Sequence, residues 1–324
     1  MSVRRPKVLV THSKTPEAGV RLLREKCEVI ICEELPEPSR EEILTKSQGC
    51  DGILWATHEA LNAEALDRAG PQLKVVSTKS AGIDYVDVAE VKRRGIPLGY
   101  TPNVLSDAVA DLAIGLMVSA ARRFHEGYLK IINNQWESSD PQWMLGRDIK
   151  GATVGIVGLG GIGQKIVNRL KGFNVGTVLY TGHREKDEGK QLGASFVTFD
   201  ELLTRSDFVF AACPLTSETK NMFDKMAFGK MKPTSVFVNV SRGGLVVQDD
   251  LIEALKNGTI FSAGLDVMTP EPLDPNHPLT KLPNCVLVPH LGSATCNTRD
   301  DMAIVAAQNV LNGIEGKSLI YSAY

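Results

Sequence analysis

The sequence predicts an α/β protein made of two doubly wound parallel-sheet domains. Short apolar runs alternate with helical patterns along the whole chain, as expected of parallel strands whose sheet is covered on both faces. The alternation comes in two series, separated by a long helical stretch and a polar segment. At 324 residues the chain also exceeds the size at which a single core usually keeps growing.

In the first series KVLVT (7–11), VIIC (29–32), GILW (52–55) and KVVST (74–78) read as strands bounded by polar residues, Gly or Pro. Between them PEAGVRLLREK, SREEILTKS and NAEALDRAG join capping residues to helical spacing, and VDVAEVKRRG stops at Gly95. The pattern changes near Pro102. From Ser106 to about Arg123 the chain predicts one long helix rich in small residues and opened by a capping Ser. NNQWESSDPQWMLGRDIKG follows, polar and aperiodic, and reads as a connecting arm. The second series is ATVGIVG, VGTVLYT, FVFAAC, SVFVNV, SAGLDV and CVLVPH with helices between, then an amphipathic helix from Thr295 to Gly316.

Composition narrows the function. A net charge of -2 gives no general electrostatic reason to bind nucleic acid or an anionic membrane. No segment approaches eighteen consecutive apolar residues, and the apolar run in MSVRRPKVLVTHSK is too short for a signal-peptide core. The six cysteines are scattered without metal-ligand spacing, so they read as reduced thiols; no metal is expected, and the cytoplasm is the expected compartment.

TVGIVGLGGIGQKI places Gly158, Gly160 and Gly163 as G-x-G-x-x-G between an apolar strand and a helix. Such glycines allow a tight turn, close approach of a pyrophosphate, and helix–strand packing, while the helix N-terminus offers free N–H groups to phosphate. A dinucleotide is the expected ligand, and the alternative is a turn kept only for packing. Roughly twenty residues on, an acid would hold a free ribose 2′-hydroxyl. Here the chain has Thr181, Gly182, His183 and Arg184 instead. Without the acid nothing repels a 2′-phosphate, and Arg184 with His183 offers it cations, so NADPH is expected over NADH. Glu185 follows at once and competes for Arg184.

Three later stretches place polar residues just past apolar runs, where a parallel sheet presents its carboxyl ends: Arg242 in FVNVSRGGLV, Asp266 and Glu271 in GLDVMTPEPLDPNHPL, and His290 in VPHLGSAT. An Arg can hold a carboxylate and polarise a carbonyl, a His can pass a proton near neutral pH, and a Glu can orient that imidazole. With a nicotinamide the set suits hydride transfer to a 2-keto acid. His290 also admits a purely structural reading, and Asp266 one as a strand-end turn former. Among the other histidines His12 and His58 follow strands, while His125 and His277 read as surface.

STKSAGIDY, GYTPNVLSDAVADLAIGL, VGIVGLGGIGQ, LYTGHRE, FVNVSRGGLV, GLDVMTPEPL and LVPHLGSAT occur in the order and spacing of one family. The chain resembles the D-isomer-specific 2-hydroxyacid dehydrogenases, and within them the branch that reduces glyoxylate and hydroxypyruvate. The resemblance implies a Rossmann coenzyme domain, 104–288, inserted in a flavodoxin-like substrate domain, 1–103 and 289–324. It implies a homodimer made through the long helix and arm. Arg242 would bind and polarise substrate, His290 would donate the proton, and Glu271 would be its partner. The N–H groups of Ala81 and Gly82 would take the substrate carboxylate, with Ser293 alongside and Trp143 entering from a partner subunit; Trp143 also reads as plain interface packing. Gly160, Gly161 and Ile162 match the pyrophosphate loop, and Pro214, Val240, Asp266 and Gly292 the nicotinamide and ribose side. Ala81 stands where Val is common, Gly161 where a close relative has Arg, and Pro214 where it has Ser; the last two bear on cofactor contacts. The implied reaction is NADPH-dependent reduction of glyoxylate to glycolate and of hydroxypyruvate to D-glycerate. The alternatives are an NAD-dependent D-2-hydroxyacid enzyme such as phosphoglycerate dehydrogenase, and a non-catalytic nucleotide-sensing corepressor.

Overall fold

The computed structural model describes residues 4–137 and 139–324, which fall into two compact units: Met1–Leu105 with Ala294–Tyr324, and Ser106–Ser293. In chain order the elements begin β1 (Lys7–Val10), α1 (Glu17–Lys26), β2 (Glu28–Ile31), α2 (Arg40–Ser47), β3 (Gly52–Trp55), α3 (Ala63–Ala69), β4 (Val75–Thr78), α4 (Val88–Arg93) and β5 (Leu98–Gly99). Then come α5 (Ser106–Ala121), α6 (Phe124–Ile132), β6 (Thr153–Val157), α7 (Gly161–Leu170), β7 (Thr177–Thr181), α8 (Asp187–Leu192), β8 (Ala194–Phe196), α9 (Phe199–Arg205) and β9 (Phe208–Ala211). The remainder is α10 (Lys225–Lys230), β10 (Val236–Asn239), α11 (Gln248–Lys256), β11 (Ser262–Leu265), β12 (Cys285–Leu287) and α12 (Cys296–Ile314).

The first unit holds a parallel five-stranded sheet in the order β2-β1-β3-β4-β5, the flavodoxin-like doubly wound arrangement. Three of its helices, α2, α3 and α4, start where the sequence places cap residues. Ser39 accepts from the Glu42 N–H, Asn62 from that of Ala65, and Asp87 from that of Glu90. The helix α12 returns to this unit and packs on β3 and β4 and against α1, where a Cβ on Gly19 would overlap the Ala303 carbonyl.

The second unit holds a parallel seven-stranded sheet, β12-β11-β10-β9-β6-β7-β8. Strand order reverses between β6 and β9, and ligands of such sheets bind outside the carboxyl ends at that reversal. The strands β9, β10 and β11 are buried at every position, which explains their mostly apolar sequences, broken only by the buried Asn239 and Ser262. Beside them Phe199, Phe223, Phe228 and Phe237 form a chain of ring contacts between the helices and the sheet.

Three elements differ from the sequence reading. The two-residue β5 and three-residue β8 were not expected, being too short for a pattern. The long helix ends at Ala121, Arg123 turns into the left-handed region, and α6 follows as a separate helix with no buried residue. Ser106 is the first helical residue of α5 and is buried within it. The described part of the arm after α6 has no regular structure.

Candidate active site

Because the seven strands of the second unit run parallel, their carboxyl ends share one edge. The glycine loop leaves β6 there. Gly158 has φ +100°, and a Cβ on it would lie 2.7 Å from the Cys213 backbone. A Cβ on Gly163 would overlap the Gly158 carbonyl, so only glycine lets α7 pack this close to its strand. Gly160, the N-cap of α7, has no atom within 4 Å of its Cβ position. Its backbone therefore faces open space, followed by the first-turn N–H groups of Gly161, Ile162 and Gly163, which no helical carbonyl can reach. That cradle fits a pyrophosphate.

At the end of β7, Thr181 is buried, while Gly182, His183 and Arg184 are exposed. Among the described residues the Arg184 guanidinium makes no hydrogen bond or ion pair. Glu185 turns instead to Lys190, 3.8 Å away. Lys186, which the sequence reading passed over, donates from Nζ to the Leu159 carbonyl inside the glycine loop at 3.0 Å, and its N–H donates to the Tyr180 hydroxyl. The loop after β9 approaches from the other side. Glu218 lies near enough to His183 to feel its charge, and its carboxyl is held below the usual range, first by the Thr216 hydroxyl.

Past β9, Cys213 is buried and its thiol is pushed up to about 11 by that burial, which leaves it protonated and inert; Pro214 beside it is exposed. Past β10, Val240 is buried, and the buried Asn239 braces the next turn. Its amide donates to the Arg242 carbonyl at 2.9 Å and its oxygen accepts from the Ser241 N–H. Arg242 is half-buried, with one guanidinium nitrogen donating to the Ser241 carbonyl.

The ends of β11 and β12 are neighbours, and this pairing brings together residues far apart in sequence. The Nδ1 atom of His290 lies 2.7 Å from Glu271 Oε2, and the other Glu271 oxygen accepts from the Met268 N–H at 3.0 Å. A carboxylate only accepts, so Nδ1 carries the hydrogen and Nε2 is left for other chemistry. His290 has φ +53°, a left-handed conformation unusual for a bulky ring-bearing residue. Its backbone is held there by N–H donation to the Asp266 and Val288 carbonyls. Asp266 is 1% exposed, and its carboxylate accepts from the N–H groups of Leu291 (2.6 Å) and Gly292 (2.9 Å). Burial raises its pKa against the pull of those N–H groups and of His290. A Cβ on Gly292 would press on the same carboxylate. Asp266 is thus tied into the His290 loop.

The chain divides at Ser293/Ala294, so His290 and Ser293 go with the seven-stranded unit. Ala81 and Gly82 lie in the five-stranded unit, in the turn after β4. The Ser80 hydroxyl donates to the Gly82 carbonyl and contacts the Tyr85 hydroxyl at 3.1 Å; no hydrogen bond among the described residues uses the N–H of Ala81 or Gly82. Trp143 sits half-buried in a turn of the arm, its N–H donating to the Asp140 carbonyl. A surface cavity of about 550 Å³ lies at the amino end of β7, away from this edge. No cluster among the described residues could hold a metal ion, and no helix is long and apolar enough to cross a membrane.

Residues 114–292 match the family model described as D-isomer specific 2-hydroxyacid dehydrogenase, NAD binding domain. Human glyoxylate reductase/hydroxypyruvate reductase is 44% identical over 98% of this chain and 97% of its own length. The chain belongs to the D-isomer specific 2-hydroxyacid dehydrogenases. Glyoxylate reductase of Thermofilum pendens is 41% identical over 97% of this dehydrogenase and 93% of the archaeal protein. Among solved structures, a Thermus thermophilus protein superposes with a TM-score of 0.90 at 38% identity, covering 98% of this chain and all of that one. An NADPH-dependent glyoxylate/hydroxypyruvate reductase from Sinorhizobium meliloti, solved with NADP and malonate, has a TM-score of 0.84 at 30% identity, covering 98% and 97% of the two chains. The dehydrogenase therefore has the family's two parallel-sheet domains and acts on 2-hydroxy or 2-keto acids with a nicotinamide nucleotide.

Proposed function

We propose that the chain is an NADPH-dependent reductase of glyoxylate and hydroxypyruvate, forming glycolate and D-glycerate. The observation that carries the reading is the His290–Glu271 pair, held at 2.7 Å at the carboxyl edge that also bears the glycine loop and Arg242. The related mammalian and archaeal reductases support the substrate class.

When bound, the reduced nicotinamide supplies hydride to C2 of the substrate. Arg242 holds the substrate carboxylate and polarises the C2 carbonyl. The backbone N–H groups of Ala81 and Gly82 lie in a turn that receives a carboxylate, and Ser293 is a further substrate-binding residue. The Nε2 proton of His290 goes to the carbonyl oxygen, and Glu271 stabilises the imidazolium that donates it. Asp266 positions His290 through the Leu291 and Gly292 amides and, with Pro214, Val240 and Gly292, lines the nicotinamide and ribose side. Gly158, Gly160, Gly161, Ile162 and Gly163 cradle the pyrophosphate. Thr181, Gly182, His183 and Arg184 receive the 2′-phosphate, and the unengaged guanidinium of Arg184 supports NADPH over NADH.

The reading includes a homodimer. Phe124, Tyr128, Ile131 and Ile132 leave α6 as an exposed apolar face, continued by Trp136 and Leu145 of the arm. A patch of that kind is usually covered by a partner. Trp143, on the same arm, then enters the partner's substrate pocket. The free thiols of the six cysteines fit the reducing cytoplasm.

Initial rates with NADPH and NADH against glyoxylate, hydroxypyruvate and pyruvate test the reading. Faster turnover with NADPH on the first two supports it. Preference for NADH points to an NAD-dependent D-2-hydroxyacid enzyme. Tight nucleotide binding without turnover points to the corepressor.

A further inference from the structure

Lys79 is a charged residue that the mechanism leaves unused. It directly follows β4, and its N–H donates to the Trp55 carbonyl at the end of β3 at 3.0 Å, so it stands on the carboxyl edge of the five-stranded sheet. The side chain is half-buried, yet its ammonium makes no hydrogen bond or ion pair among the described residues. A second cation adds to the charge here. Arg299 lies in the first turn of α12, the helix packed on β3 and β4, and its charge is felt at Lys79. Burial first, and Arg299 second, hold the Lys79 ammonium down to about 8. Burying a cation without a counter-charge is costly, and such groups concentrate where a ligand completes them.

The neighbourhood says what kind of ligand. Ala81 and Gly82, with their unengaged N–H groups, come two and three residues after Lys79. Two residues of chain span at most about 7 Å. Lys79 and those N–H groups therefore belong to the same stretch just past β4, at the carboxyl edge of the sheet.

We propose that Lys79 receives a second anionic group of the substrate, so that the enzyme also reduces 2-keto acids bearing a carboxylate or phosphate beyond C2. This rests on the reductase reading above. The reaction is unchanged in balance: C2 gains hydride as the nicotinamide is oxidised, the carbonyl oxygen gains a proton, and no group leaves. Lys79 neutralises the second charge and takes no part in the proton transfer.

The test compares wild type, Lys79→Met and Lys79→Arg with NADPH on four probes: glyoxylate, hydroxypyruvate, oxaloacetate and 3-phosphohydroxypyruvate. Wild type is expected to reduce at least one of the last two. For that substrate Lys79→Met raises KM about 30-fold, the size of a lost charge-assisted contact, with kcat nearly unchanged. Glyoxylate, too short to reach Lys79, keeps both parameters within about threefold, and Lys79→Arg restores most of the loss. An effect on oxaloacetate identifies a carboxylate, one on the phosphorylated probe a phosphate. The proposal is overturned if wild type reduces glyoxylate but neither dianion, or if Lys79→Met alters all four substrates alike. Wild type inactive on all four overturns the reductase reading itself, and the proposal with it.

Discussion

Replacing Arg184 with Ala tests how the cofactor is chosen. The side chain is exposed, and among the described residues nothing holds its guanidinium, because Glu185 pairs with Lys190 at 3.8 Å. Its removal therefore breaks no internal contact, and stability should change by no more than about 0.5 kcal/mol. A charge-assisted hydrogen bond to phosphate contributes about 1.5–3 kcal/mol, and a solvent-facing site belongs at the low end. A loss of about 1.5–2 kcal/mol corresponds to roughly 10–30-fold in Kd. Titration by nucleotide fluorescence should show that weakening for NADPH, with NADH changed by less than about twofold, and the difference should shrink as salt rises. Lys186→Ala is the control. Its Nζ is tied to the glycine loop, so its loss should weaken both nucleotides together. Equal losses of NADPH and NADH in Arg184→Ala, or no loss of either, would refute the assignment of this lip to the 2′-phosphate.

Glu271→Gln keeps the shape of the His290 partner but removes its charge; kcat should fall about 10–100-fold with NADPH affinity unchanged, as measured by steady-state rates and titration. Lys79→Met should stabilise the protein at pH 7 by on the order of 3 kcal/mol in urea unfolding, since it removes an ammonium held at about 8 instead of 10.5. Between those values the unfolded chain binds the extra proton, so wild-type stability attributable to Lys79 rises with pH from about 8 to 10.5; the gain from the substitution should be full below 8 and vanish above 10.5. Ile131→Glu places a charge on the exposed face of α6 and should convert the proposed dimer to monomer in light scattering, whereas an unchanged dimeric mass would remove α6 from the interface.

Most of the fold is legible in the sequence because the buried strands are short, mostly apolar runs with helices between them. The residues that escaped are those whose structure depends on neighbours. Ala194–Phe196 pairs only at the sheet edge and exposes two of its three residues, so it carries no alternation of its own. Phe124–Ile132 has a clear apolar face, but none of its residues is buried, and it lies between the long helix and the arm of the sequence reading without being assigned to either. At the site, residue types at strand ends identify Arg242, Glu271 and His290. The contact between the last two arises from the pairing of β11 with β12, which no local pattern encodes. The same pairing makes Asp266 the anchor of the His290 loop. Lys186 reaches the glycine loop across the 27 positions separating it from Leu159, a contact visible only once β6 and β7 lie side by side.

The central claim is that His290, oriented by Glu271, gives the proton that completes reduction. His290→Gln assayed with NADPH and glyoxylate tests it most directly. Turnover should fall by about 10²–10⁴-fold while the Kd for NADPH stays within about twofold. Turnover near that of wild type would contradict the account.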